Sequence, residues 1–106
     1  MGDIFRDTFL GFIRVHILHH AAKDRIFGLE MIEELGEHGY TLSPGTIYPI
    51  LHGMEKAGLL TSEQEVVAGK VRKYYRITPS GGAALQQLRQ RIRELTREVL
   101  EDKPRR

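Results

Sequence analysis

Three histidines close together, His16, His19 and His20, are the residues of this sequence that could carry metal chemistry. His16 and His20 are one helical turn apart, so both imidazoles could chelate one divalent ion from the same face of a helix. The sequence has no cysteine, however, and it offers no clear third ligand nearby. The surrounding apolar stretch favours histidines hydrogen-bonded near a helix end. We therefore predict no metal and no cofactor, with metal sensing as the alternative.

Motifs for catalysis are missing from the sequence. It contains no pair of carboxylates in a glycine-framed pocket, no nucleophile elbow and no phosphate-binding loop. An enzymatic function is therefore not predicted.

A second kind of chemistry is indicated by residues 42–58, LSPGTIYPILHGMEKAG. Ser43 as N-cap, Pro44 at the first helical position and Gly58 as a stop signal predict a helix over about 43–57. Its buried stripe is predicted to consist of Ile47, Ile50, Leu51 and Met54. The opposite face is small and has no acid at its centre; it holds Gly45, Pro49, His52, Gly53 and Lys56, with Thr46 and Tyr48 on its flanks.

This small face destabilises the helix by itself, because each glycine costs roughly 1 kcal/mol and Pro49 removes a backbone hydrogen bond. Its benefit is that another molecule can approach the backbone closely. The amides near Gly45 and Thr46 suit a phosphate. Thr46, Tyr48 and His52 could reach base edges or phosphates, and Pro49 could contact a thymine methyl group. We interpret this face as a DNA-binding surface; close helix–helix packing is the alternative.

The stretch that follows, LLTSEQEVV, AGK and VRKYYRIT, predicts a β-hairpin over about 59–78. Strand alternation predicts that Tyr75 packs with Ile77, while Tyr74 faces solvent or phosphate. The second strand brings four cations that could neutralise phosphates, namely Lys70, Arg72, Lys73 and Arg76. The alternative is a solvated hairpin whose charges discourage aggregation.

The remaining elements are helices that must position these two surfaces. Asp3 is predicted to cap a helix over about 4–22, and a second helix begins at Gly28 with Leu29, Ile32 and Leu35 inward. Thr78 and Pro79 begin a last helix to about residue 101, before a frayed DKPRR end. Three helices, a hairpin and a helix are the order of a winged helix-turn-helix. The predicted fold is mainly α with a small β-hairpin, divided into a DNA-binding part, 1–78, and a C-terminal helix with its tail, 79–106.

The runs HGYTLSPGTIYPILHGMEKAGLL and GKVRKYYRITPSG closely resemble the PadR-like transcriptional regulators. The resemblance covers roughly residues 9–81, and the single C-terminal helix is similar to the short subgroup of that family. It implies a dimeric winged-helix repressor with Ser43, Pro44, Thr46 and Tyr48 at the DNA, and with the wing, the hairpin over about 59–78, on the adjacent backbone or in the minor groove. It also makes a small-molecule effector between the protomers plausible.

Apolar residues of the last helix recur at alternating intervals of three and four positions. This spacing is typical of a coiled-coil seam and predicts pairing with a second copy of the chain. The seam consists of Leu85, Leu88, Ile92, Leu95 and Val99. The first helix is apolar on more than one face, which adds Phe5, Phe9 and Phe12 to the predicted interface. A helix folded back on its own domain is the alternative. Two-fold symmetry would place the recognition helices about 34 Å apart on a palindromic operator.

The composition of the sequence agrees with these predictions and argues against a membrane protein. The 106 residues carry a net charge of +2, distributed unevenly, with seven basic residues and no acid between Val66 and Arg93. That asymmetry suits a polyanion such as double-stranded DNA. No apolar run reaches ~18 residues, so no membrane span is predicted, and the absence of cysteine suits the cytoplasm. We predict a sequence-specific, homodimeric transcriptional repressor; the alternative is a winged-helix module that binds protein without specific DNA readout.

Overall fold

The computed structural model describes residues 2–102 of the chain. In chain order its elements are α1 (Ile4–Lys23), β1 (Ile26–Phe27), α2 (Gly28–Gly36), α3 (Pro44–Lys56), β2 (Leu60–Val67), β3 (Lys70–Ile77) and α4 (Pro79–Val99). The mainly α fold with a small sheet is the one predicted. The predicted fraying of the DKPRR end falls mostly on residues 103–106, which lie outside the described residues.

The helix ends follow from local capping. The Asp3 carboxylate accepts hydrogen bonds from the amides of Phe5 and Arg6, at 3.0 and 3.3 Å, and the Thr78 hydroxyl accepts one from Gly81 at 3.0 Å. At the end of α3, Gly58 adopts a φ of 81°. Its amide donates to the Glu55 carbonyl and the next amide donates to Met54, both at 2.9 Å, which is the Schellman arrangement.

The sheet has three strands in the order β1–β3–β2, so the predicted hairpin is joined by a third strand from the segment between the first two helices. Ile26 pairs with Tyr75, and Phe27 pairs with Tyr74. The hairpin itself turns through Ala68 and Gly69, whose φ angles of 52° and 79° match a two-residue type I′ turn. The short β1 therefore covers the part of the β3 edge formed by Tyr74 and Tyr75.

The core lies where the three N-terminal helices meet the sheet. As predicted, Ile47, Leu51 and Met54 of α3 are buried. The inward prediction for Leu29 was wrong, because that side chain is 59% exposed. Gly28 packs directly against the Tyr48 ring, so the inward face of α2 runs instead through Met31 and Leu35.

Tyr74 is also a correction, because it was predicted to face solvent or phosphate and is only 8% exposed. Its ring meets the Phe27 ring edge-on at 5.5 Å, and the Arg25 guanidinium lies 3.7 Å from its centroid. Phe27 of β1 and Arg25 just before it cover the Tyr74 ring, so Tyr74 packs within the fold and does not face solvent.

Tyr75 packs in the core as predicted, but its hydroxyl oxygen is buried without a hydrogen-bond partner among residues 2–102. Burial, followed by the neighbouring Glu55 and Tyr48, raises the pKa of this hydroxyl. A buried unsatisfied polar group costs about 1–3 kcal/mol. We therefore expect Tyr75→Phe to raise the free energy of unfolding by about 1 kcal/mol, measured by urea denaturation.

Tyr74→Phe is the matched control for that substitution, since the Tyr74 hydroxyl accepts a hydrogen bond from Arg72 at 3.3 Å. Its removal should lower the free energy of unfolding or leave it unchanged. A Tyr75→Phe chain less stable than the wild type would contradict the assignment.

Leu85 of the predicted dimer seam belongs to the core of its own chain, where it is 3% exposed, and Leu88 packs partly against that core. The start of α4 folds back on α1, which is the alternative considered for this helix. The later seam residues remain exposed. Within residues 2–102, no helix is long and apolar enough to cross a membrane.

Candidate nucleic-acid interface

The outward face of α3 is open to solvent, as the sequence predicted. Gly45, Pro49, His52, Gly53 and Lys56 are all exposed, and they lie opposite the buried stripe of the same helix. α3 stays continuous through Pro49, although this residue lacks an amide proton and crowds the preceding turn. The face therefore presents backbone and short side chains over much of its length.

The space around Gly53 shows whether the small residues of α3 are needed for packing within this chain. Among residues 2–102, a Cβ atom built on Gly53 meets no atom within 4 Å, and one built on Gly45 meets only the Ser43 hydroxyl oxygen at 3.7 Å. At Gly28 and Gly81, by contrast, a Cβ would collide with the Tyr48 ring and the Leu59 carbonyl. Glycine is thus required for packing at the latter two positions, while the described fold has no such need at Gly53.

The first turn of α3 keeps an arrangement suited to an anion. Ser43 holds the N-cap position with an extended backbone, but its hydroxyl makes no capping hydrogen bond to an amide of the described chain. It lies 3.4 Å from the Thr46 hydroxyl instead. Two exposed hydroxyl groups therefore stand beside the positive end of the helix dipole, where a phosphate is favoured.

The four cations of the wing, which is the β2–β3 hairpin, differ in the contacts that they make within the fold. The Arg72 guanidinium lies 4.0 Å from the Phe27 ring centroid, and the Lys73 ammonium lies 3.9 Å from a Glu55 carboxylate oxygen. Arg76 pairs with Glu63 on the opposite strand. Lys70, next to the hairpin turn, is exposed and has no ion pair among the described residues. Lys70 is therefore the wing cation most available to a phosphate.

A groove of about 480 Å³ lies between α3 and the β2–β3 hairpin. Tyr48 lines it on one side, and Lys70, Arg72 and Lys73 line it on the other. The structure thus brings together residues from two parts of the sequence that were predicted separately. Tyr48 is half-buried against Gly28, so its ring borders this groove instead of the open face of α3.

Two residues near this surface were not predicted as site residues. Arg14 of α1 lines a hollow with Pro49 and Gly53, which places a cation beside the small face of α3. Phe27 lines the groove at the wing and supports the Arg72 guanidinium. Arg14 interrupts an otherwise apolar part of α1, and this interruption is the signal in the sequence that could have identified it.

Apart from the buried Leu85 and the partly buried Leu88, the predicted dimer residues lie on a separate surface formed by α1 and α4. Phe5, Phe9 and Phe12 are exposed along α1, and each ring lies 6.3–6.5 Å from the next. Exposed apolar side chains continue on α4 at Ile92, Leu95 and Val99. A groove of about 660 Å³ between the two helices is lined by Phe12, Val15, His16, Leu85, Leu88 and Ile92, among others.

The histidines are arranged differently from the prediction. His16 and His20 come together with His38, and ligand atoms of the three imidazoles lie within 4.8 Å of one another. The expectation that no third ligand lies nearby was wrong, because the turn after α2 brings His38 onto α1. His19 stands outside this group and lines the groove between α1 and α4.

Comparison with known proteins gives consistent matches. The profile of the transcriptional regulator PadR-like family matches residues 17–87. Transcriptional regulator Rv3488 of Mycobacterium tuberculosis is 54% identical over 88 residues, which cover 83% of this chain and 82% of that protein. Transcriptional regulator YqjI of Escherichia coli is 34% identical over 85 residues, which cover 77% of this chain but only 40% of YqjI.

Solved structures share the fold over nearly the whole chain. A PadR-like transcription factor from Bacteroides fragilis superposes with a TM-score of 0.81 at 25% identity, covering 96% of this chain and all of the other. A PadR-like transcriptional regulator from Bacillus cereus gives a TM-score of 0.78 at 30% identity, covering 86% of this chain and 90% of the other.

Proposed function

Because the chain belongs to the PadR-like family of transcriptional regulators and is not an enzyme, we propose that it binds a palindromic operator as a homodimer and represses transcription. Its site of action is then the cytoplasm, where the operator lies. The single observation that carries this proposal is the exposed face of α3, where the space beside Gly53 is not filled by other described residues.

In this proposal α3 enters the major groove with its small face toward the bases. Gly45, Pro49 and Gly53 permit close approach, and Ser43 with Pro44 positions the first turn at a phosphate. Thr46 and His52 reach base edges or phosphates, and Tyr48 contacts the DNA from the side of the wing groove. Arg14 joins the predicted residues as a contact to the DNA backbone.

The wing supplies contacts that do not depend on sequence. Lys70 binds a phosphate directly, while Arg72 and Lys73 approach the backbone from the groove that they share with Tyr48. Lys73 must give up its 3.9 Å contact with Glu55 to do so, which makes its net contribution smaller than that of Lys70.

The homodimer is supported by the exposed apolar surface of α1 and α4. Large apolar side chains on both helices are uncovered in the single chain, and a contiguous surface of this kind marks an interaction site. Pairing two copies there would bury Phe5, Phe9 and Phe12 with Ile92, Leu95 and Val99. The groove between α1 and α4 adjoins this interface, and it is the place we assign to a small-molecule effector that releases the operator.

Selection of bound duplexes from a random DNA library at near-physiological salt tests the proposed function. Enrichment of an inverted repeat with half-sites about one helical turn apart is the expected result. Binding without enrichment that disappears as salt rises would favour the alternative, a winged-helix module that binds protein.

We expect Lys70→Ala to weaken binding to operator and scrambled duplexes alike, because a phosphate contact carries no sequence information. The slope of log K against log salt should become shallower by about one unit per half-site. Fluorescence anisotropy at several salt concentrations measures both quantities.

Arg76→Ala is the control for this substitution, because the Arg76 side chain is already paired with Glu63 on the neighbouring strand. It removes the same charge from the same strand and should change the slope less. Equal slopes for the wild type and Lys70→Ala would remove Lys70 from the interface.

A further inference from the structure

Four potential metal ligands converge where the end of α2 meets α1. His16 and His20 stand one turn apart on α1, Glu34 lies in the last turn of α2, and His38 follows in the turn toward α3. One ring nitrogen from each histidine lies within 4.8 Å of the other two. None of these residues is needed for the proposed DNA contacts.

The distances around Glu34 are close to those of a coordination sphere. Its Oε2 atom lies 3.3 Å from Nε2 of His38 and 3.8 Å from Nε2 of His20. Ligand atoms around a tetrahedral zinc ion, with bonds of about 2.0–2.1 Å, are separated by about 3.3 Å. Small side-chain rotations would therefore bring these groups around one ion.

The three imidazoles are part of a packed group of rings. The rings of His16 and His38 stack with centroids 4.9 Å apart and an interplanar angle of 24°, and the Tyr40 ring meets His16 edge-on at 5.6 Å. The ring nitrogens of His16, His20 and His38 therefore lie near one another in the folded chain before any ion binds.

We propose that His16, His20 and His38, together with the Glu34 carboxylate, form a binding site for a divalent first-row transition ion such as Zn²⁺. Three imidazole nitrogens with one carboxylate oxygen suit this class of ion, whereas Mg²⁺ and Ca²⁺ require mostly oxygen ligands. His38 is exposed, so an ion can reach the site from solvent.

A bound ion would link α1 to the segment between α2 and α3, because it would have ligands on both. His38 is followed by Tyr40, which packs against His16, and Pro44 then begins the recognition helix. An ion held by ligands from both sides of this junction stabilises the folded arrangement by mass action. The melting temperature of the chain should therefore rise when Zn²⁺ is added.

Isothermal titration of the tag-free chain with Zn²⁺ tests the proposal. The wild type should bind one ion per chain. Loss of a residue that only hydrogen-bonds a metal ligand typically lowers metal affinity by roughly 10- to 100-fold. His38→Ala removes a ligand itself, so it should lower the Zn²⁺ affinity by more than that. Glu34→Gln should lower the Zn²⁺ affinity by about 10-fold or more. His38 is exposed, so its replacement should leave the fold intact, and the circular dichroism spectrum checks this.

His19→Ala is the matched control, since His19 neighbours the site on α1 but lies outside the cluster. It should keep the affinity, the stoichiometry and the Zn²⁺-dependent rise in melting temperature. The proposal is overturned if wild-type chain binds no Zn²⁺, if His38→Ala binds it as tightly as the wild type, or if His19→Ala and His38→Ala lower the affinity equally.

Discussion

Gly53→Glu is expected to lower operator affinity by at least about 100-fold, which corresponds to about 2.7 kcal/mol. The new side chain would stand on the α3 face that the proposed complex places against DNA, and it adds a negative charge beside the phosphates. Electrophoretic mobility shift or fluorescence anisotropy with the selected operator measures the loss.

The same substitution should stabilise the free protein, which separates lost binding from lost folding. A Cβ atom at Gly53 meets no atom of the described residues within 4 Å, so the fold accommodates a side chain there. Replacing a glycine inside a helix removes a cost of about 0.5–1 kcal/mol. We therefore expect an increased free energy of unfolding together with decreased DNA affinity.

Gly36→Glu is the matched control for Gly53→Glu. Gly36 is exposed at the end of α2, and a Cβ atom built on it likewise meets no atom within 4 Å in the part of the chain that the structure describes. The control introduces the same side chain and charge away from α3, so operator affinity should stay at the wild-type level. A Gly53→Glu chain that binds the operator as tightly as the wild type would exclude this face from the interface.

The double substitution Ile92→Asp with Leu95→Asp is expected to convert the proposed homodimer into monomers. These side chains are 42% and 52% exposed in the single chain, so the fold of one chain does not depend on them. Two carboxylates in an apolar interface would each lose hydration without a partner. Light scattering coupled to size-exclusion chromatography measures the mass.

Operator binding should fall with the dimer, since each monomer holds only one half-site. Joining two binding modules typically raises affinity by about 10²- to 10⁴-fold, and the monomer should lose an amount in that range. Binding to a single half-site should persist, because the α3 face is unchanged.

Leu29→Asp with Val66→Asp provides the control for oligomeric state. Both residues are exposed and apolar, at 59% and 69%, but neither lies on α1 or α4. This chain should keep the mass of the wild type. A dimer that survives Ile92→Asp with Leu95→Asp would place the interface elsewhere.

Much of the fold could be predicted because its signals are local. Asp3, Thr78 with Pro79, and Gly58 mark helix ends through interactions within one turn of the chain. The hairpin is fixed by its turn and by alternation along two adjoining strands. The small face of α3 was readable for the same reason, because helical spacing alone places Gly45, Pro49 and Gly53 on one side.

Contacts between distant residues could not be predicted in this way. β1 has only two residues, Ile26 and Phe27, and it is a strand because β3 offers an edge nearly fifty positions later in the chain. That pairing buries Tyr74, which alternation alone placed in solvent. Leu85 is a second example. Its spacing in the sequence suits either a dimer seam or the core of one chain, and the packing of α4 on α1 places it in the core.

The sequence by itself therefore determined the helices, the hairpin and the small face of α3, because capping, periodicity and turn geometry act between residues a few positions apart. The tertiary structure decided which of these surfaces stay open. It buried Tyr74, engaged three of the four wing cations in contacts of the fold, and brought His38 to His16 and His20. These outcomes depend on how whole helices and strands pack, which no local spacing encodes.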